Sequence, residues 1–128
     1  MELTHFDEHG NARMVDVSEK DITSRSARAV GSILVNDEIL HKIEQSDMKK
    51  GDVLGVARIA GIMGVKKTSD LIPLCHPLMI NKVNIDFDVD RANCLIYAYC
   101  TVKCNGKTGV EMEALTGVNI CLLTIYDM

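Results

Sequence analysis

Several common functions are argued against by what this chain has little of. Basic residues are too few for a general polyanion-binding surface: 14 Lys and Arg face 18 Asp and Glu, a net charge of −4. That balance argues against nucleic acid as a partner, although it leaves room for a local basic pocket around a phosphorylated small molecule. No apolar run approaches the ~20 residues of a membrane span, and the opening Met1-Glu2-Leu3-Thr4-His5 is no secretion signal. The five cysteines (75, 94, 100, 104 and 121) are odd in number and contain no Cys-x-x-Cys pair. Free thiols in a reducing cytoplasm are the simplest account. Prolines number two, Pro73 and Pro77, and both fall in one short stretch.

What remains is the composition of an ordinary soluble domain, 128 residues long and 47% hydrophobic, enough for one core but not for two. Residues 1–13 are polar and unpatterned and read as a flexible N-terminal segment ahead of a single domain, 14–128. His5 and His9 could hold a metal, but a polar, glycine-bearing terminus is read more simply as mobile.

Along the chain, Met14–Val17 suggests a short strand. Ala27, Ala29, Ile33 and Val35 share a period of two with Gly31 in register, which predicts a longer strand with a possible bend at the glycine. Asn36 can cap a helix carrying Ile39, Leu40 and Ile43 on one face. Asp52 begins the first long helix, which ends at Lys66 and Lys67, where cations favour the helix dipole. Gly55, Gly61 and Gly64 cost that helix about 1 kcal/mol each relative to alanine, a cost usually offset by close approach of a neighbour. Arg58 is the one charge inside this run and should reach a carboxylate or the helix rim.

Val83–Val89 alternates apolar and polar residues without a break, as a strand with one solvated face should. Arg91-Ala92-Asn93 turns into a second strand, Leu95–Val102, and Asn105-Gly106 marks the next turn. Thr108 and Glu111 have the spacing of a capping box at the start of a largely apolar last helix. The expected fold class is α+β, an antiparallel sheet covered by two long helices.

Three groups of polar residues could carry chemistry. In Thr68–Pro77, reading Thr-Ser-Asp-Leu-Ile-Pro-Leu-Cys-His-Pro, each proline fixes its own φ and pushes the preceding residue out of the α region. Leu74, Cys75 and His76 should therefore be stiff and extended, suited to aiming a binding group or simply to ending a helix. Glu113, Thr116, Thr124 and Asp127 share one arc of the last helix, as a functional row or a solvated stripe. At 1.5 Å per residue Glu113 and Asp127 stand about 21 Å apart, too far for one small substrate within one subunit. Lys50 precedes a glycine and a helix start, where backbone N–H groups favour an anion. It can neutralise a phosphate there or, with a lowered pKa, transfer protons; it can equally be a solvated loop lysine beside Lys49.

Taken together, Lys50-Gly-Asp-Val, Ala57-Arg-Ile-Ala-Gly-Ile, the Thr68–Pro77 run and Thr108-Gly-Val-Glu-Met-Glu-Ala-Leu-Thr resemble the cyclic pyranopterin monophosphate synthase family of molybdenum cofactor biosynthesis. So do Leu3-Thr-His-Phe-Asp, Met14-Val-Asp-Val and Leu123-Thr-Ile-Tyr-Asp-Met, in order along nearly the whole chain. The resemblance implies a ferredoxin-like fold and a lyase that converts (8S)-3′,8-cyclo-7,8-dihydroguanosine 5′-triphosphate to cyclic pyranopterin monophosphate with release of pyrophosphate. It implies no metal or redox cofactor, a cytoplasmic homohexamer built as a trimer of dimers with sites at the dimer interface, and a radical GTP cyclase acting one step earlier. By motif position, Leu74, Cys75, His76, Met112 and Glu113 correspond to substrate-binding residues. Asp127 and Lys50 correspond to catalytic residues, with Glu111 and His76 as further active-site groups. Family members continue past the Tyr-Asp-Met motif through a lysine-bearing helix end, a further strand and a basic, glycine-rich tail, whereas this sequence stops at Met128. An alternative expectation is therefore a shortened, catalytically impaired nucleotide-binding or assembly module of the same family.

Overall fold

The computed structural model describes residues 3–45 and 51–128. Their order is β1 (Thr23–Leu34), α1 (Asp37–Glu44), α2 (Val53–Lys66), α3 (Thr68–Leu71), β2 (Ile80–Asp90), β3 (Leu95–Gly106) and α4 (Glu111–Asp127). The strands form one antiparallel sheet in the order β1-β3-β2. Leaving aside the short α1 and α3, the sequence of elements is β-α-β-β-α, consistent with a ferredoxin-like arrangement in which α2 and α4 cover one face.

Local signals account for most boundaries. The side chain of Asn36 accepts a hydrogen bond from the N–H of Ile39 and starts α1, and that of Asp52 does the same for Gly55 and starts α2. The alternation in β2 sends Val83, Ile85, Phe87 and Val89 inward and Asn84, Asp86 and Asp88 to solvent. β3 continues to Gly106 rather than ending at Val102, because Asn105 and Gly106 pair with Ser24 and Thr23 of β1. No strand forms at 14–17. The Val15 carbonyl is taken by His76, and the Asp16 carboxylate accepts from both the N–H and the hydroxyl of Ser18, so this backbone has partners outside any ladder. Residues 3–13 form a hydrogen-bonded loop, closed by a Phe6–Ala12 antiparallel bridge and an Arg13 N–H to His5 carbonyl bond of 2.7 Å.

The main core lies between the sheet and the two long helices, around Val65, Ile85, Cys100, Val102, Val118 and Cys121. There α2 and α4 cross at Gly61 and Gly117. A Cβ on Gly61 would stand 3.0 Å from the Gly117 carbonyl oxygen and 2.6 Å from Ile85 Cδ1. The helix cost of the glycine is thus offset by backbone contact between helices. Beside it the buried Cys121 thiol donates to the Ala57 carbonyl at 3.2 Å, tying α4 to α2. Among the described residues Arg58 reaches no carboxylate: its Nε donates to the Ile85 carbonyl at 3.0 Å and its guanidinium lies 5.4 Å from the Phe87 ring centroid. The cation is accommodated by a carbonyl and an aromatic face.

Candidate functional site

The helix packing places the first turn of α4 beside the proline-flanked loop. Thr68 anchors that loop from below: it is buried, and its hydroxyl donates to the carbonyls of Gly64 and Val65 at the end of α2. Residues 68–71 then make one helical turn, and the N–H of Cys75 bonds back to the Ile72 carbonyl at 3.1 Å. Pro73 and Leu74 are therefore the centre of a tight turn. Leu74 is not extended as expected, because Pro73 presets the φ that such a turn needs at its second position.

Helix α4 does not begin with a capping box. Val110 is the N-cap, without a side-chain cap bond, and Glu111 is the first helical residue rather than the third. A capping box would need Thr108 at the N-cap, two positions further along, which Val110 occupies. The Glu111 carboxylate instead folds back against Gly109, so close that a Cβ on that glycine would collide with it. This glutamate borders a cavity at the helix start, where the first N–H groups of a helix have no intrahelical partner.

Two residues further, Glu113 is only 3% exposed. A solvated stripe therefore does not describe it. One oxygen, Oε2, accepts a hydrogen bond from the Cys75 thiol at 3.4 Å, while Oε1 is buried with no partner among the described residues. Leaving a carboxylate oxygen so placed costs about 1–3 kcal/mol, and in a folded protein such a group calls for an explanation. Burial, and then the negative charge and hydrogen bond of Glu113, push the Cys75 thiol up to about 11. At neutral pH the sulfur is protonated and serves as a donor and a wall, not as a thiolate nucleophile.

His76 is oriented from the other side. Its Nε2 lies 2.6 Å from the Val15 carbonyl oxygen. A carbonyl can only accept, so Nε2 carries the proton, and in the neutral ring Nδ1 is left as an acceptor. A cavity of about 170 Å³ lies between these groups, bordered by His5, Cys75, His76, Thr108, Glu111 and Glu113 among others. An apolar cavity of about 510 Å³ lies beside it, lined by Ile72, Pro73, Leu74 and Met112 together with His5, Ala12 and Cys75.

Of the residues singled out in the sequence, Leu74, Cys75, His76, Glu111, Met112 and Glu113 thus meet around one cavity. Asp127 does not join them. It is exposed at the far end of α4, about 21 Å along the axis from Glu113. Lys50 lies outside the described residues. His5, Thr108 and the Val15 carbonyl border or hold the site without having been assigned to it from sequence. For His5 and Thr108 the motifs Leu3-Thr-His-Phe-Asp and Thr108-Gly-Val-Glu carried a signal; a backbone carbonyl leaves none. Among the described residues no three His, Cys, Asp or Glu side chains converge to hold a metal ion, and no described helix is long and apolar enough to cross a membrane.

Fold and site together define a ferredoxin-like α+β protein with a buried, half-satisfied carboxylate, an oriented histidine and an apolar cavity at the start of its last helix. The sequence model of the MoaC family matches residues 14–128. A cyclic pyranopterin monophosphate synthase of Natranaerobius thermophilus is 56% identical over 127 residues, spanning 99% of this chain and 80% of the relative. Proteins of the same name from Trichlorobacter lovleyi and Cereibacter sphaeroides are 56% and 57% identical, spanning 100% and 98% of this chain and 80% and 79% of their own lengths. The chain belongs to the MoaC family.

Proposed function

We propose that this protein is a cyclic pyranopterin monophosphate synthase acting in molybdenum cofactor biosynthesis. Its substrate is (8S)-3′,8-cyclo-7,8-dihydroguanosine 5′-triphosphate, its products cyclic pyranopterin monophosphate and pyrophosphate. The observation that carries this reading is the convergence of Leu74–His76 and Glu111–Glu113 on one cavity, in a chain whose named relatives match it over nearly its whole length. Those identities favour the synthase over a non-catalytic binding or assembly module.

The reaction opens and recloses rings and closes a cyclic phosphate, so it needs proton donors and acceptors, and a cation as pyrophosphate departs. In this reading Leu74, Cys75, Met112 and Glu113 hold the guanine-derived part, with the unpaired Oε1 of Glu113 accepting from its N–H groups. His76, with Nδ1 facing away from its Val15 anchor, and Glu111 orient the substrate or relay protons. Lys50 neutralises phosphate charge and, with Asp127, transfers protons. The separation of Asp127 from Glu113 calls for a site completed by a second subunit, which fits a trimer of dimers with sites at the dimer interface. The enzyme works in the cytoplasm after a radical GTP cyclase, and its catalytic groups are side chains rather than a metal or redox cofactor.

Incubating the purified protein with the cyclised nucleotide and following pyrophosphate and pterin tests this directly. Stoichiometric release of both is expected; no product, or hydrolysis of ordinary GTP with magnesium instead, would overturn it.

A further inference from the structure

The two cavities share four lining residues: His5, Leu74, Cys75 and Met112. Three of these belong to the loop and helix turn already placed in the site. The fourth, His5, comes from the N-terminal loop, a separate part of the chain. Of the four it is the polar side chain whose hydrogen-bonding groups are uncommitted, since the Cys75 thiol is engaged with Glu113 and the His5 ring makes no hydrogen bond to the described residues.

Its position is built by the backbone rather than left to chance. The His5 carbonyl accepts from the N–H of Arg13 at 2.7 Å, the Phe6–Ala12 bridge closes the loop, and Asp7 and Asn11 pair at 2.8 Å. Arg13 adds a side-chain bond from Nε to the Thr4 carbonyl at 3.2 Å. Two residues beyond Arg13, the Val15 carbonyl holds His76. One segment therefore orients one imidazole of the site and presents another at the junction of its apolar and polar chambers.

We infer that His5 is a substrate-contacting residue of this site, meeting the guanine-derived heterocycle where it passes from the apolar cavity toward the carboxylates. The inference rests on the proposed synthase reading. The inner cavity of about 170 Å³ is too small for a nucleotide, whereas the 510 Å³ chamber lies within the ordinary range for small-ligand sites. A planar heterocycle seated between Pro73, Leu74 and Met112 must point its polar edge across the junction, and an imidazole there offers a ring face, a donor and an acceptor.

The test compares wild type, His5→Ala and His5→Gln in three measurements: calorimetric affinity for the cyclised nucleotide, kcat and KM for pyrophosphate release, and melting temperature. His5→Ala is expected to weaken binding and raise KM by about tenfold, with kcat changed less than about threefold and the melting temperature unchanged. His5→Gln, which keeps a donor and an acceptor, should recover much of the affinity. Unchanged affinity and KM in His5→Ala, beside an active wild type, would overturn the inference and leave the synthase reading intact. So would a fall in melting temperature that parallels the loss of affinity. A wild type that neither binds nor converts the nucleotide would remove both.

Discussion

Glu113 is placed at a cost to the fold, and Glu113→Met measures that cost. Methionine has nearly the same length and fills the same buried volume, so the change removes the carboxylate without opening a cavity. Two terms compete. The variant loses the 3.4 Å bond from the Cys75 thiol, a weak donor at long range. It also removes an oxygen that is buried without a partner, worth about 1–3 kcal/mol, and replaces it with apolar surface. The second term is the larger, so the expected result is a gain of about 1–2 kcal/mol in unfolding free energy. For a domain of this size that corresponds to a melting temperature about 3–10 °C higher. The kcat/KM for the cyclised nucleotide should fall by about ten- to a hundredfold, because the variant loses the charged acceptor of the substrate's N–H groups, a bond worth about 1.5–3 kcal/mol. Thermal unfolding followed by circular dichroism, together with pyrophosphate release, decides the matter. A variant melting several degrees below wild type would mean that Glu113 stabilises the fold, and the reasoning from its unpaired oxygen would be wrong.

Other perturbations test other parts of the account. Gly61→Ala gains about 1 kcal/mol of helix propensity but forces a Cβ against the Gly117 carbonyl, 3.0 Å away, and against Ile85. Overpacking of that kind costs about 1–3 kcal/mol, so chemical unfolding should show a net loss of about 1–2 kcal/mol; a stabilised variant would contradict the close helix crossing. Burial pushes the Cys100 and Cys121 thiols from 9.0 up to about 11. The folded state keeps protons that the unfolded chain loses above pH 9, so their contribution is full below pH 9 and disappears as pH rises toward 11. The expected loss is on the order of 3 kcal/mol per thiol. Urea unfolding at pH 8 and pH 10.5 should show it in wild type and much less in a Cys100→Ala/Cys121→Ala variant; identical pH slopes would refute it. Lys50→Ala should lower turnover far more than melting temperature, and equal losses in both would make Lys50 a structural residue.

How far the sequence could be read depended on the range of the interaction involved. Asn36 and Asp52 act on N–H groups three residues away, and the β2 alternation is a property of neighbours, so those elements were legible. The Thr108–Glu111 spacing misled because a spacing does not say which residue begins the helix, and here Glu111 does. The Val15 carbonyl and the burial of Glu113 depend on segments 61 and 38 residues distant in the chain. No periodicity reports such contacts. The same arc that suggested a solvated stripe on α4 holds Glu113 in the interior and Asp127 in solvent, because the two ends of one helix meet different neighbours. Family motifs identified the cavity residues, while geometry supplied the His5 junction, the half-satisfied Glu113 carboxylate and the distance along α4 between Asp127 and the cavity.

That distance is tested most directly by a mixing experiment with two inactive variants. If each site takes His76 from one subunit and Asp127 from another, His76→Ala and Asp127→Ala should each be inactive alone. Unfolded and refolded together in equal amounts, they form mixed dimers that carry one intact site in two. Random pairing makes half the dimers mixed, so activity should return to about a quarter of the wild-type value. A mixture that assembles but remains as inactive as its components, beside an active wild type, would contradict a site shared between subunits.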